Sequence, residues 1–73
     1  MNESQLYKAV GQRIRFFREE KGLTQQGLAD LCNFEKSNIS RIETGRTNLT
    51  LKSMLTISKA LNVQIKQLLD FER

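Results

Sequence analysis

Apolar residues recur along this chain in steps of three and four. Leu6, Val10, Ile14 and Phe17 form one stripe, and Leu28, Leu31 and Cys32 a second. Ile39 and Ile42 form a third, Leu51, Met54, Leu55 and Leu61 with Ser58 among them a fourth, and Ile65, Leu68 and Leu69 a fifth. Such steps stack side chains on one face of an α-helix, whereas a strand would alternate. The punctuation agrees: Gly22, Asn33, Gly45 and Asn62 follow the first four stripes. Gly and Asn tolerate the left-handed backbone that ends many helices. Thr24 and Thr50 precede the second and fourth stripes, where a hydroxyl can accept from the free amides of a first turn. There is no Pro, no Asn-Gly hairpin turn and no low-complexity stretch. The pattern predicts an all-α fold, one domain over residues 1–73, with helices over about 4–20, 25–32, 36–44, 51–61 and 65–71.

Only Asn33, Phe34 and Glu35 separate the second helix from the third. So short a link joins two short helices at a steep crossing, as in a helix-turn-helix spanning Thr24 to Gly45. Ala29 falls where the two would touch, and Leu28, Cys32, Ile39 and Ile42 would face inward. Phe34 would plug the core beside the turn.

Charge adds direction to this picture. The net charge is +4. Residues 1–35 hold five bases and five acids, so the excess lies in residues 36–73, with seven bases and three acids. From Lys36 to Lys66 six bases face a single acid, Glu43. A one-sided basic surface suits a polyanion. Helix 1 carries Arg13, Arg15 and Arg18 beside Glu19, Glu20 and Lys21, which reads as a solvated face. One Cys and no His leave neither a disulfide nor a zinc site, so no metal or cofactor is expected and Cys32 reads as a small buried residue. No His, Gly-rich phosphate loop or spaced carboxylate pair is present to serve catalysis, so the chain is not expected to be an enzyme. No signal-peptide core or run of about 18 apolar residues occurs, which points away from a membrane and to the cytoplasm.

The segments Leu23-Thr24-Gln25-Gln26-Gly27-Leu28-Ala29 and Ile39-Ser40-Arg41-Ile42-Glu43-Thr44-Gly45 resemble the phage-repressor/Cro-like, or xenobiotic-response-element type, helix-turn-helix family. The resemblance covers about residues 11–70. It implies a compact five-helix, lambda-repressor-like domain in which helices 2 and 3 form the motif. It further implies a transcriptional regulator, a repressor, that binds a palindromic double-stranded DNA operator as a homodimer. By the family's pattern the base-reading positions fall on Lys36, Ser37 and Arg41. Because Arg and Lys pair with guanine O6 and N7, at least one G·C pair per half-site is expected. Gln25 would meet a phosphate and brace the reading residues. Asn38 and Ser40 are candidates for phosphate or base-edge contacts. Arg46, Thr47, Asn48 and Lys52 would hold phosphates and set register. Arg18 would pair with Glu43 and lock the third helix to the first. The chain departs from the family at Asn33, where Gly is usual, and at Leu49, where Pro is common.

Tyr7, Phe16 and Phe71 read as core or dimer contacts rather than base-stacking platforms. The segment Val63 to Phe71 is the candidate dimer surface. The rival reading is a protein-interaction module on the same fold, such as an antitoxin that binds a toxin. It would depend on an apolar patch near one terminus more than on the basic face.

Overall fold

The computed structural model describes residues 1–71, and Glu72 and Arg73 lie outside the described residues. Five helices follow in order: α1 (Glu3–Glu20), α2 (Gln25–Cys32), α3 (Lys36–Glu43), α4 (Leu51–Leu61) and α5 (Ile65–Leu68). No strand occurs among the described residues.

Side chains of the N-cap residue start three of the four longer helices. Asn2 Oδ1 accepts from the Gln5 amide at 2.8 Å while Gln5 Oε1 accepts from the Asn2 amide at 2.9 Å, a reciprocal capping box. Thr24 Oγ1 accepts from the Gly27 amide at 2.9 Å, and Thr50 Oγ1 from the Ser53 amide at 3.0 Å. Glu35, the N-cap of α3, makes no such bond.

Left-handed backbone follows the first four helices at the residues read from the sequence, with φ +70° at Gly22, +59° at Asn33, +75° at Gly45 and +57° at Asn62. Each turn is closed by an amide reaching back five residues: Leu23 to the Arg18 carbonyl, Phe34 to Ala29, Arg46 to Arg41 and Val63 to Ser58, at 2.8–3.1 Å. This is the pattern of a Schellman end, in which otherwise orphaned carbonyls find donors. Gly45 has a second constraint, because a Cβ there would stand 2.7 Å from the Lys8 backbone nitrogen.

The core gathers Val10 and Ile14 from α1, Leu28, Ala29 and Cys32 from α2, and Ile39 and Ile42 from α3. Met54, Ile57 and Leu61 from α4 and Leu68 from α5 complete it. Ala29 is fully buried where α2 meets α3, and Phe34 packs against the core beside the turn. Phe71 packs against the core as well.

Three sequence expectations need correction. The buried face of α4 is Met54, Ile57, Ser58 and Leu61; Leu51, a member of the expected stripe, is 75% exposed, and Ile57, outside that stripe, is 0% exposed. Leu6, Leu31, Leu55 and Leu69 are also exposed. Helix α5 stops at Leu68, three residues short of expectation, because the Leu69 amide turns back to the Lys66 carbonyl at 3.2 Å in a tightened last turn. The arginines of α1 do not share a solvated face. Arg15 does, pairing with Glu19 at 3.1 Å, but Arg18 is buried. Arg13 donates from Nε to the Gln67 carbonyl at 3.1 Å and lies 4.8 Å over the Phe17 ring, tying α1 to the C-terminal segment.

Candidate nucleic-acid interface

Helix α3 owes its two faces to its sequence. Ile39 and Ile42, three residues apart, are buried against α1 and α2. Lys36, Ser37 and Arg41 are left exposed, Ser37 and Arg41 lying one turn apart. Asn38 and Ser40 are partly covered. The three expected reading positions therefore share the open side of a helix whose opposite side is core.

The helix is held at its C-terminal end by a buried polar network. Arg18 donates from Nε to Glu43 Oε2 at 2.6 Å and from Nη2 to Oε1 at 3.1 Å, a two-pronged pair. Its Nη1 donates to the Leu23 carbonyl at 2.7 Å. The side chains are 10% and 2% exposed, so the charges are largely removed from water. Glu43 holds the Arg18 guanidinium protonated to still higher pH than usual, an effect that outweighs the opposing cost of burial. Gln25 joins the network, donating from Nε2 to Glu43 Oε1 at 3.1 Å. One carboxylate thus ties α1, α2 and α3 together. The Gln25–Glu43 bond carried no signal in the sequence, because the two residues lie 18 positions apart.

Gly11 is a second contact to α3 that no sequence motif marks. It is buried in the middle of α1, where a glycine ordinarily weakens a helix by roughly 1 kcal/mol relative to Ala. A Cβ there would stand 2.7 Å from the Glu43 carbonyl oxygen, so the absence of a side chain lets α1 lie directly on the last turn of α3. That unexplained cost was the available signal.

The loop after α3 brings the remaining candidates alongside. Arg46 is exposed and donates from Nε to Thr44 Oγ1 at 3.2 Å, while Thr44 Oγ1 donates to the Ser40 carbonyl at 2.9 Å. Asn48 and Lys52 are exposed and Thr47 is partly covered. Thr47 and Asn48 border a cleft of about 120 Å³ that Leu6, Tyr7, Leu49 and Met54 also line. Leu49, standing where Pro is common, fills part of that cleft wall and packs on the core. Cys32 is buried, and burial pushes its thiol pKa up. No group of His, Cys, Asp and Glu suited to a metal occurs among the described residues, and no helix there is long and apolar enough to cross a membrane.

Comparisons with known proteins fit this geometry. The chain is 45% identical over 62 residues to control protein C.BamHI of Bacillus amyloliquefaciens, covering 84% of this chain and 76% of that one. It is 37% identical over 59 residues to the competence pilus inhibition repressor of Acinetobacter baylyi, covering 81% of this chain but only 54% of that longer protein. Among solved structures it superposes on SinR, the master regulator for biofilm formation, in complex with DNA. The TM-score is 0.78 at 37% identity, over 84% of this chain and 98% of that one. The HTH_3 helix-turn-helix model matches residues 14–68, three-quarters of the chain and every element of the interface except the start of α1. The chain belongs to the HTH_3 helix-turn-helix family.

Proposed function

We propose that this chain is a sequence-specific, double-stranded DNA-binding transcriptional regulator that acts as a dimeric repressor in the cytoplasm. The observation that carries this reading is the open face of α3: Lys36, Ser37 and Arg41 exposed together on a helix whose other side is locked to α1 and α2. A helix of that width enters the major groove, where each base pair presents a distinct donor and acceptor pattern. Lys36, Ser37 and Arg41 read base edges. Arg46, Asn48 and Lys52, with Thr47, Asn38, Ser40 and Gln25, hold phosphates and set the register. Gln25 has one amide N–H engaged by Glu43, so a phosphate would take its second N–H or the free amides at the start of α2. The names of the matched proteins, a repressor, a control protein and a regulator bound to DNA, support the same reading.

The operator is palindromic, with half-sites about one helical turn, or roughly 34–36 Å, apart. Within the C-terminal segment, Leu68 is spent on the core, and Val63 and Ile65 are partly buried against it. Among the exposed apolar side chains, Leu69 of this segment and Leu51 and Leu55 of α4 are those we assign to contact with a second copy.

Titration of randomised duplex DNA at several salt concentrations tests the proposal. A selected motif is expected, with affinity falling steeply as salt rises. Equal binding of every duplex at moderate salt would overturn it.

A further inference from the structure

Glu35 is the one N-cap among the four longer helices that is neither Asn nor Thr, and its side chain makes no capping bond. The residue is exposed, and none of the side-chain hydrogen bonds or ion pairs found among the described residues involves its carboxylate. It immediately precedes Lys36 and Ser37, at the end of α3 that carries two of the three proposed readers. Glu43, the acid at the other end of α3, is buried and engaged by Arg18 and Gln25. An unpaired negative charge thus stands at the tip of a helix presented to a polyanion. Facing a phosphate, it would oppose binding.

Base edges offer it a different partner. An ionised carboxylate only accepts hydrogen bonds. In the major groove guanine and thymine present only acceptors and a methyl group, so a carboxylate finds no donor there. Adenine presents its N6 amino group beside the N7 acceptor, which repels an anion. Cytosine presents its N4 amino group without an adjoining acceptor. Lys36, next in sequence, supplies the donor that guanine O6 and N7 need. The couple Glu35–Lys36 therefore carries an acceptor and a donor complementary to the two strands of G·C pairs. Resting on the proposed DNA-binding reading, we infer that Glu35 is a specificity-determining residue that selects a cytosine in each half-site.

The test is selection from random duplexes by the wild-type chain, Glu35→Ala and Glu35→Gln, with binding to the selected site measured alongside thermal melting. Wild type selects a motif with a G·C pair at the position nearest the start of α3. Glu35→Ala loses the preference for cytosine there, about 5- to 150-fold, and keeps the rest of the motif. Glu35→Gln, which can both donate and accept, moves the preference toward adenine at that position. An unchanged motif in both variants overturns the inference while leaving the DNA-binding reading intact. So does uniformly tighter binding of all duplexes by Glu35→Ala, which would mean the acid merely faces phosphate. A lowered melting temperature with no change in motif would reduce Glu35 to a helix-dipole role and overturn the inference as well. Failure of the wild type to select any motif removes both readings.

Discussion

Arg18 and Glu43 meet through two hydrogen bonds, at 2.6 and 3.1 Å, across the packed seam between the first and third helices. Desolvating two charges offsets much of their attraction, so the pair as a whole contributes little net stability. Removing one partner is different, because it strands the other charge in the interior. Glu43→Gln is expected to cost about 3 kcal/mol, lowering Tm by roughly 12–24 °C for a domain of this size. Arg18→Ala should cost a similar amount, and the double variant less than the sum, since each single change already leaves a charge unpaired. Thermal melts of the four proteins decide it, and additive losses would mean the two residues are not coupled.

Gly11→Ala should destabilise the domain although alanine is the better helix former. The new Cβ would lie 2.7 Å from a main-chain oxygen of Glu43, which cannot swing aside as a side chain could. Overpacking of this kind costs about 1–3 kcal/mol, and the gain of roughly 1 kcal/mol in helix propensity only partly offsets it. A rise in Tm would show that α1 does not lie on α3 as described.

Arg41→Ala should weaken binding to the selected operator by about 1–3 kcal/mol and relax preference at one base position. Lys52→Ala should weaken binding to all duplexes alike and reduce the salt slope by about one. Titrations against the operator and single-position variants separate the two behaviours. A uniform loss for Arg41→Ala would place that side chain on a phosphate.

Leu55→Glu, on the exposed side of α4, should shift the chain toward monomer in sedimentation while leaving its helical circular-dichroism spectrum unchanged, with Tm falling only by the amount that dimerisation contributed. Affinity for a two-half-site operator should fall while binding to an isolated half-site is retained. A dimer of unchanged strength would move the interface away from α4.

Burial raises the Cys32 thiol pKa above that of the unfolded chain. The protonated form is the one the fold favours, so this contribution is present below the unfolded value of about 8.5 and is lost as pH rises through the folded value. Between neutral pH and pH of about 9.5 the wild type should therefore lose more Tm than Cys32→Ala. The native thiol should also react with iodoacetamide far more slowly than the urea-unfolded chain does. Equal rates would mean that the thiol is accessible in the folded state.

Much of the fold was legible because its signals are local. Gly22, Asn33, Gly45 and Asn62 mark helix ends through backbone conformation alone, and Thr24 and Thr50 mark helix starts within a single turn. Helix α4 shows where local reading stops. Leu51 and Leu55 continue one apolar stripe and Ile57 another, and both stripes share Met54, Ser58 and Leu61. Which is buried depends on where α1, α2 and α5 stand around the helix, a long-range fact. The same holds at the interface. Exposure of Lys36, Ser37 and Arg41 follows from the spacing of Ile39 and Ile42, but the Gln25–Glu43 bond and the seat of Gly11 exist only after three helices have packed. At α5, apolar Leu69 and Phe71 kept the helical pattern alive past Leu68, because a sequence pattern registers burial and Phe71 is partly buried without being helical.

The network at Glu43 has a mechanical consequence for an operator. Helix α3 is pinned to α1 by Arg18 and by the bare backbone at Gly11, and to α2 by Gln25. So braced, it has little freedom to rock within a groove that does not fit it. On the proposed two-half-site operator the accommodation would fall to the duplex, which would have to bend or twist to bring both half-sites into register, and that deformation is easier for some base steps than for others. On such an operator a rigid reader would discriminate even at the central base pairs between the half-sites, through the elasticity of the DNA itself.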